Sequence, residues 1–217
     1  MADSIPAPQK TDEKIFLVIV IALAIVVGIG SWFAAAAFAR RDQLHDILPD
    51  KARMLGKFIL TNENGQTITR AELEGEILVV SFLFTSCSLT CPEVTKRMAE
   101  IQQLTATNTG VRLVSLTVDP RSDTPPVLAK WAARFGADTN RWFFLTGDKT
   151  VLHRLIAKSF LTQDNGDPFN SMPGNFTGTE RIAVVDKHGK TQIYFDGLRP
   201  ETSAGVVAEI AQLLGEH

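Results

Sequence analysis

Cysteine is scarce in this chain: only Cys87 and Cys91 occur among 217 residues. Two thiols exclude a multi-disulfide scaffold and a four-cysteine zinc site, so any sulfur chemistry belongs to this one pair. A surplus of either charge is also missing, with 22 Lys and Arg against 24 Asp and Glu and a formal net charge of -2. Without a basic surplus the chain carries no electrostatic footprint for nucleic acid, and no such partner is expected. Histidine is confined to His45, His153, His188 and His217. No internal repeat is evident, and 217 residues of which 45% are hydrophobic suit one domain with a full core plus an appendage.

Charge vanishes entirely from Ile15 to Ala39 (IFLVIVIALAIVVGIGSWFAAAAFA). As a helix this run reaches roughly 37 Å, enough to cross a hydrocarbon core of about 30 Å. Residues 15–39 are therefore expected to be one transmembrane helix behind an N-terminal tail, residues 1–14, with Trp32 and Phe33 suited to an interfacial belt. A cleaved signal peptide is the competing reading, because Ala37-Phe38-Ala39 has the small-x-small form of a cleavage site. The apolar core of a signal peptide is usually about 7 to 15 residues, shorter than this run. Lys10 and Lys14 precede the segment, while Arg40, Arg41, Lys51 and Arg53 follow it. That basic count alone would leave the folded part in the cytoplasm. The thiol chemistry below argues for the opposite, oxidising side, and that orientation is the expected one.

Residues 40–54 are mixed and charged, broken by Pro49-Asp50, as a juxtamembrane tether would be. The folded domain is expected over residues 55–217. Lys57 to Leu60, the turn Asn62-Glu63-Asn64-Gly65 and Gln66 to Thr69 predict a β-hairpin. Ile77 to Phe84 (ILVVSFLF) has the near-continuous apolar pattern of a strand buried on both faces. Pro92 then opens a predicted helix through Leu104, with Val94, Met98, Ile101 and Leu104 at helical spacing. A second core strand, Val111 to Val118, leads through Asp123-Thr124-Pro125-Pro126 into a helix ending near Phe135. A strand over Trp142 to Leu145, a helix over Asp148 to Phe160, a long polar loop from Thr162 to about Glu180, a hairpin over Arg181 to Val185 and Thr191 to Phe195, and a helix over Pro200 to Leu214 complete the order. Strand, helix, strand, helix implies parallel pairing, and the whole predicts an α/β sandwich of thioredoxin type: a central mixed sheet flanked by helices.

The stretch Phe84-Thr85-Ser86-Cys87-Ser88-Leu89-Thr90-Cys91-Pro92 thus places both thiols where a central strand becomes a helix. Unpaired amides and the macrodipole at a helix start favour a thiolate, which is the nucleophile in disulfide exchange and the ligand for soft metals. Thiols about one helical turn apart also approach within the roughly 4.4 to 6.8 Å between Cα atoms that a disulfide tolerates. Both sulfurs are expected to be reachable from solvent and ionisable. The plain alternative is a structural bridge, or two inert buried cysteines. Closing so short a loop restrains the unfolded chain by only about 2 kcal/mol, against about 4 to 5 kcal/mol for a long one, so a stabilising staple gains little here.

F-T-S-C-S-L-T-C-P, Phe84 to Pro92, resembles the cysteine loop of the Sco/SenC family, membrane-anchored proteins that help assemble the dinuclear copper site of cytochrome c oxidase. Gly56-Lys57-Phe58-Ile59-Leu60, Val118-Asp119-Pro120-Arg121-Ser122-Asp123-Thr124-Pro125, Leu145-Thr146-Gly147 and Tyr194-Phe195-Asp196-Gly197-Leu198 are similar to that family's pattern in the same order. The likeness runs from about Leu55 to the C-terminus. It implies a thioredoxin-like fold, a single membrane anchor with the domain in the periplasm or mitochondrial intermembrane space, and copper bound by the two cysteines plus one histidine. It also implies as partners the oxidase subunit that carries the copper site and a thioredoxin-like electron donor. The chain departs from the pattern at the histidine. Counting back from Val184-Val185-Asp186, the family's His position falls on Gly178, followed by Thr179, and glycine has no side chain to offer. His45 beside the membrane, His153 within a helix, His188 in a hairpin turn and His217 at the terminus are poor substitutes. Met172, in the long loop, could give a thioether to Cu(I), although core filling or loop exposure explains it more simply.

Two functions follow for Cys87 and Cys91. In the first they are catalytic: Cys87, the earlier in the loop, attacks a client disulfide and Cys91 resolves the mixed disulfide, while the pull of the helix N-terminus on Cys91 argues for the reverse assignment. In the second they bind copper for delivery to the oxidase. Two thiolates suit soft Cu(I), whereas Cu(II) prefers imidazole, so Cu(I) is favoured over Cu(II) here. The departure at Gly178 removes a metal ligand and no thiol, which tilts the reading toward thiol–disulfide exchange in copper-site assembly. A one-cysteine peroxidase on the same fold is a third reading, with Thr90 and Arg141 as its candidate helpers. The resemblance would place Asp119 and Asp123 near the cysteine loop; neither receives a catalytic role, and Asp123, before Thr124-Pro125, is expected first to cap a helix. Trp131, Phe135, Trp142, Phe143 and Phe144 read as core and rim aromatics.

Overall fold

A strand that is apolar at nearly every position is stable only where both of its faces are covered. Ile77–Leu83 meets that condition, and all seven of its residues are buried in the computed structural model, which describes residues 15–21, 54–160 and 179–215. The strands are β1 (Ile59–Thr61), β2 (Thr67–Thr69), β3 (Ile77–Leu83), β4 (Val111–Thr117), β5 (Trp142–Leu145), β6 (Arg181–Val185) and β7 (Thr191–Asp196). The helices of the folded domain are α1 (Thr90–Leu104), α2 (Pro125–Arg134), α3 (Lys149–Ser159) and α4 (Thr202–Gly215). β3 is the middle of a five-stranded sheet ordered β5-β4-β3-β6-β7. It pairs in parallel with β4, from Ile77 opposite Val111 to Leu83 opposite Thr117, and antiparallel with β6, from Leu78 opposite Val185 to Ser81 opposite Ile182. The sheet is therefore mixed, as expected.

Because side chains alternate along a strand, the two faces of β3 build two cores. Ile77, Val79 and Leu83 face one side, where α1, α2 and α4 supply Met98, Leu128 and Val206. Leu78, Val80 and Phe82 face the other, covered by the β1–β2 hairpin through Leu60 and Ile68 and by α3 through Leu152 and Ile156. Each such side chain contributes about 1.5 to 3 kcal/mol on leaving water. Polar groups within the sheet pair with one another: Ser81 and Ser115 share a hydrogen bond of 2.8 Å between their hydroxyls, and Trp142 Nε1–H donates to Ser115 Oγ at 2.9 Å. This is the thioredoxin-like α/β arrangement, with helices on both faces of the sheet.

The β1–β2 turn shows why its residues are Asn, Glu and Gly. Asn62 Oδ1 accepts from the amides of Asn64 and Gln66 at 3.1 and 2.8 Å, and Gly65 takes a φ of 76°, a left-handed conformation that suits glycine. Glu63 is buried and reaches to the sheet edge, where Oε2 accepts from the amide of Phe144 in β5 at 2.9 Å. Met54 is bridged antiparallel to Lys190. Of the expected anchor, residues 15–21 are helical and exposed; 22–39 lie outside the described residues, as do 1–14, 40–53, the greater part of the long loop (161–178) and 216–217. Among the described residues no helix is long and apolar enough to cross a membrane.

Candidate functional site

The cysteines lie at the C-terminal edge of β3. The chain leaves the sheet at Leu83, turns through Phe84 to Leu89, and enters α1 at Thr90, two residues before Pro92, where the helix was expected to open. Cys91 is thus inside the first turn. The helix N-cap is Leu89, which has no side chain able to accept a hydrogen bond. The free amides of the first turn face sulfur instead: Cys91 N–H donates to Cys87 Sγ at 3.2 Å. Cys87 takes the place that Ser or Asp usually occupies at a helix start.

The two thiols differ sharply. Cys87 is half-buried and Cys91 is fully buried, at 0% exposure, against Val94 and Met98; both are free thiols. Burial pushes the Cys87 thiol up, but hydrogen bonds from the backbone and thiol of Cys91 and from the amides of Leu89 and Thr90 outweigh it, leaving Cys87 below its ordinary value. Burial pushes Cys91 up to about 12, with the hydrogen bond and charge of Cys87 adding to it and Phe84 backbone and Thr179 hydroxyl contacts opposing it. The expectation that both sulfurs be reachable and ionisable therefore holds for Cys87 and fails for Cys91. The physical reason is helix geometry: the turn that turns the Cys91 amide toward Cys87 also turns its side chain into the sheet.

Thr179 brings the β6 end of the chain to the thiols. It stands one residue after Gly178, where the resemblance puts the family's histidine; Gly178 and Met172 themselves lie outside the described residues. Gly197 closes the same wall. A Cβ there would meet Glu180 O at 2.9 Å and Val94 at 3.1 Å, so only glycine lets β7 end against α1 without displacement. His153 is on α3, across the sheet from the thiols, and His188 is in the β6–β7 turn at the far end of the sheet. Among the described residues no group of three His, Cys, Asp or Glu is placed to hold a metal ion. Arg141 is also remote. It precedes β5 at the end of the sheet where β4 begins, and its guanidinium donates to Thr105 O at 2.7 Å. The peroxidase reading loses its arginine.

Asp123 departs from its expected role. The N-cap of α2 is Thr124, without a side-chain cap bond, and Asp123 is 0% exposed with its carboxylate aimed back at the cysteine loop. Oδ1 accepts from Thr85 Oγ1–H at 2.5 Å and from Thr85 N–H at 3.1 Å, and Oδ2 accepts from Thr117 Oγ1–H at 2.5 Å. Asp119 donates its amide to Thr117 Oγ1 at 3.0 Å. In the sequence Thr85 and Thr179 stand out only as neighbours of Cys87 and Gly178, and Thr117 only as part of a strand, since a threonine in a strand or loop carries no signal of its own.

A family model described as SCO1/SenC matches residues 48–215. The chain is 36% identical over 105 residues to the SCO1 protein homolog of Bacillus subtilis (strain 168), covering 48% of this chain and 54% of the relative, about half its length. Among solved structures, BsSco, described as a member of the Sco family of cytochrome c oxidase assembly proteins with a disulfide switch, superposes with a TM-score of 0.65 at 24% identity, over 76% of this chain and 96% of that one. Bradyrhizobium japonicum ScoI with copper bound gives a TM-score of 0.57 at 24% identity, over 74% and 99%. At these identities the two structures speak to the fold.

Proposed function

This chain belongs to the SCO1/SenC family, and we propose that it is a membrane-anchored thiol–disulfide exchange protein serving assembly of the copper site of cytochrome c oxidase. The observation that carries this reading is the asymmetry of the pair: Cys87 half-exposed on the amides of α1, Cys91 buried beneath it. A nucleophile must be reachable and stabilised as thiolate, and a resolving thiol needs only to reach its neighbour. Cys87 thiolate attacks one sulfur of a client disulfide, forming a mixed disulfide and releasing the other client sulfur as a thiolate that takes up a proton. Cys91 then gives up its proton and attacks Cys87 Sγ, which releases the second client sulfur. Two electrons pass to the client, and Cys87–Cys91 is left as a disulfide for a thioredoxin-like donor to reduce. The disulfide switch of BsSco supports such a cycle.

Copper enters as the ion delivered. The ScoI structure with copper supports a metal-carrying reading for the same thiols. Cys87 and Cys91 would hold the ion as two thiolates, a donor set that suits Cu(I), and Cys91 must release its proton to do so. The folded domain works outside the cytosol, in the periplasm or intermembrane space, where a dithiol can cycle. Full-length protein, reduced and mixed with a model disulfide peptide, tests the reading. Cys91→Ser accumulates a mixed disulfide through Cys87, and Cys87→Ser forms none. Equal trapping through Cys91 in the Cys87→Ser variant, or no trapping in either, overturns it. Metal content and thiol titre after loading with Cu(I) and then Cu(II) test the metal: Cu(I) is retained and Cu(II) is not.

A further inference from the structure

We propose that Asp123 is a positioning residue for the thiol pair, a buried carboxylate that fastens the Cys87 loop to the end of β4 and thereby holds Cys87 Sγ over the first turn of α1. The inference rests on the reading of Cys87 and Cys91 as the reacting groups, and it assigns work to a residue outside them.

The geometry has two halves. On one side Asp123 is fixed to the β4–α2 turn: its amide donates to Asp119 O at 2.9 Å, Thr117 Oγ1–H donates to its Oδ2, and Thr117 Oγ1 in turn accepts the Asp119 amide. On the other side both the backbone and hydroxyl of Thr85 donate to the same carboxylate, two residues before Cys87. Beyond Thr85 the loop is held by Cys87 N–H to Phe84 O at 3.0 Å and by the amides of Leu89 and Thr90 on the Cys87 sulfur. Strand pairing ends just before, at Val118 N–H to Leu83 O, 2.9 Å. The path of the loop from sheet to helix is thus set by Asp123.

The alternatives for this residue are weak. It does not cap α2, whose N-cap is Thr124. Burying a carboxylate is costly unless hydrogen bonds surround it, so an acid at 0% exposure calls for a reason beyond filling space. Every partner of its carboxylate is a donor, and those donors tie together the loop that carries Cys87 and the strand that flanks it. Thiol placement is sensitive to such a tie, because the Cys91 N–H to Cys87 Sγ contact weakens steeply with distance and angle.

The test uses the reduced full-length protein and four variants, Asp123→Asn, Asp123→Ala, Thr85→Val and Thr117→Val. Two quantities are read: the thermal midpoint, and the rate of Cys87 alkylation by iodoacetamide at one fixed pH. Thr85→Val and Asp123→Ala should slow alkylation roughly fivefold, the equivalent of one net hydrogen bond of about 1 kcal/mol. Asp123→Asn keeps an acceptor for Thr85 and should recover part of that loss. Thr117→Val lowers the midpoint like Thr85→Val, yet leaves the rate within twofold, since Thr117 grips the carboxylate without touching the loop. A purely structural carboxylate would move midpoints in all four variants with no distinction in rate, and that result overturns the proposal, as does faster alkylation in Thr85→Val. If Asp123→Ala fails to fold, Thr85→Val decides alone. Alkylation needs no client, so a wild type inert toward disulfides defeats the exchange reading while leaving this test intact.

Discussion

Raising the pH should unfold this protein partly through one sulfur atom. Cys91 sits at 0% exposure, and burial, reinforced by Cys87, lifts its thiol to about 12. In the unfolded chain the same thiol titrates near 8.5. A group whose folded value is raised contributes stability that is intact below the unfolded value and is lost as pH climbs toward the folded one. Between about pH 8.5 and 12 the unfolded chain sheds this proton and the folded chain keeps it, a slope of roughly 1.4 kcal/mol per pH unit. At pH 10 the accumulated loss is about 2 kcal/mol. The assay is urea denaturation of reduced wild type and Cys91→Ala at pH 7, 8.5 and 10. Changes common to both proteins cancel in the difference. The wild type's advantage over Cys91→Ala should shrink by about 2 kcal/mol from pH 7 to pH 10. A difference constant to within about 0.5 kcal/mol would show that Cys91 ionises as freely in the fold as in the open chain, and the account of its burial would be wrong.

In the reduced wild type at pH 7, iodoacetamide should label Cys87 faster than Cys91 by roughly a thousandfold or more, as peptide mass spectrometry would read, because a thiol at about 12 holds so little thiolate; comparable labelling contradicts the asymmetry. Glu63→Ala leaves the buried Phe144 amide without its acceptor and should cost about 1 to 3 kcal/mol in denaturant. Burial, the largest influence, raises the Glu63 carboxyl despite the amides of Phe144 and Glu63 itself, so the wild type's margin over this variant is greatest in acid and falls as pH rises through the folded value. A margin that grows from pH 4 to 7 would reverse that sign. Gly197→Ala should destabilise by about 1 to 3 kcal/mol, since the new methyl meets Glu180 O at 2.9 Å; an unchanged midpoint would mean that the wall beside Val94 yields freely.

The element order was legible because each element carries its own period. β3 is apolar at every position but Ser81 and α1 repeats its apolar residues at helical spacing through Val94, Met98 and Ile101, so burial on two faces and on one stripe follows directly. The location of the thiols between these two elements followed as well. Asp123 was misread for an instructive reason: Asp before Thr-Pro satisfies the local rule for a helix cap, but two threonines, 38 and 6 residues away, offered the carboxylate a buried set of donors that the local rule cannot see.

By itself, then, the sequence determined the α/β order, the strand-to-helix seat of Cys87 and Cys91, and the lack of a histidine at position 178, because periodicity, turn chemistry and residue type are local properties. Only the tertiary structure decided which thiol is reachable and which is sealed, what Asp123 holds, and that Thr179 stands beside Cys91 while His153 stands across the sheet. Those outcomes depend on how α1 lies on β3 and where the ends of β4 and β6 come to rest. Contacts between segments distant along the chain exist only once the sheet has brought its strands into register.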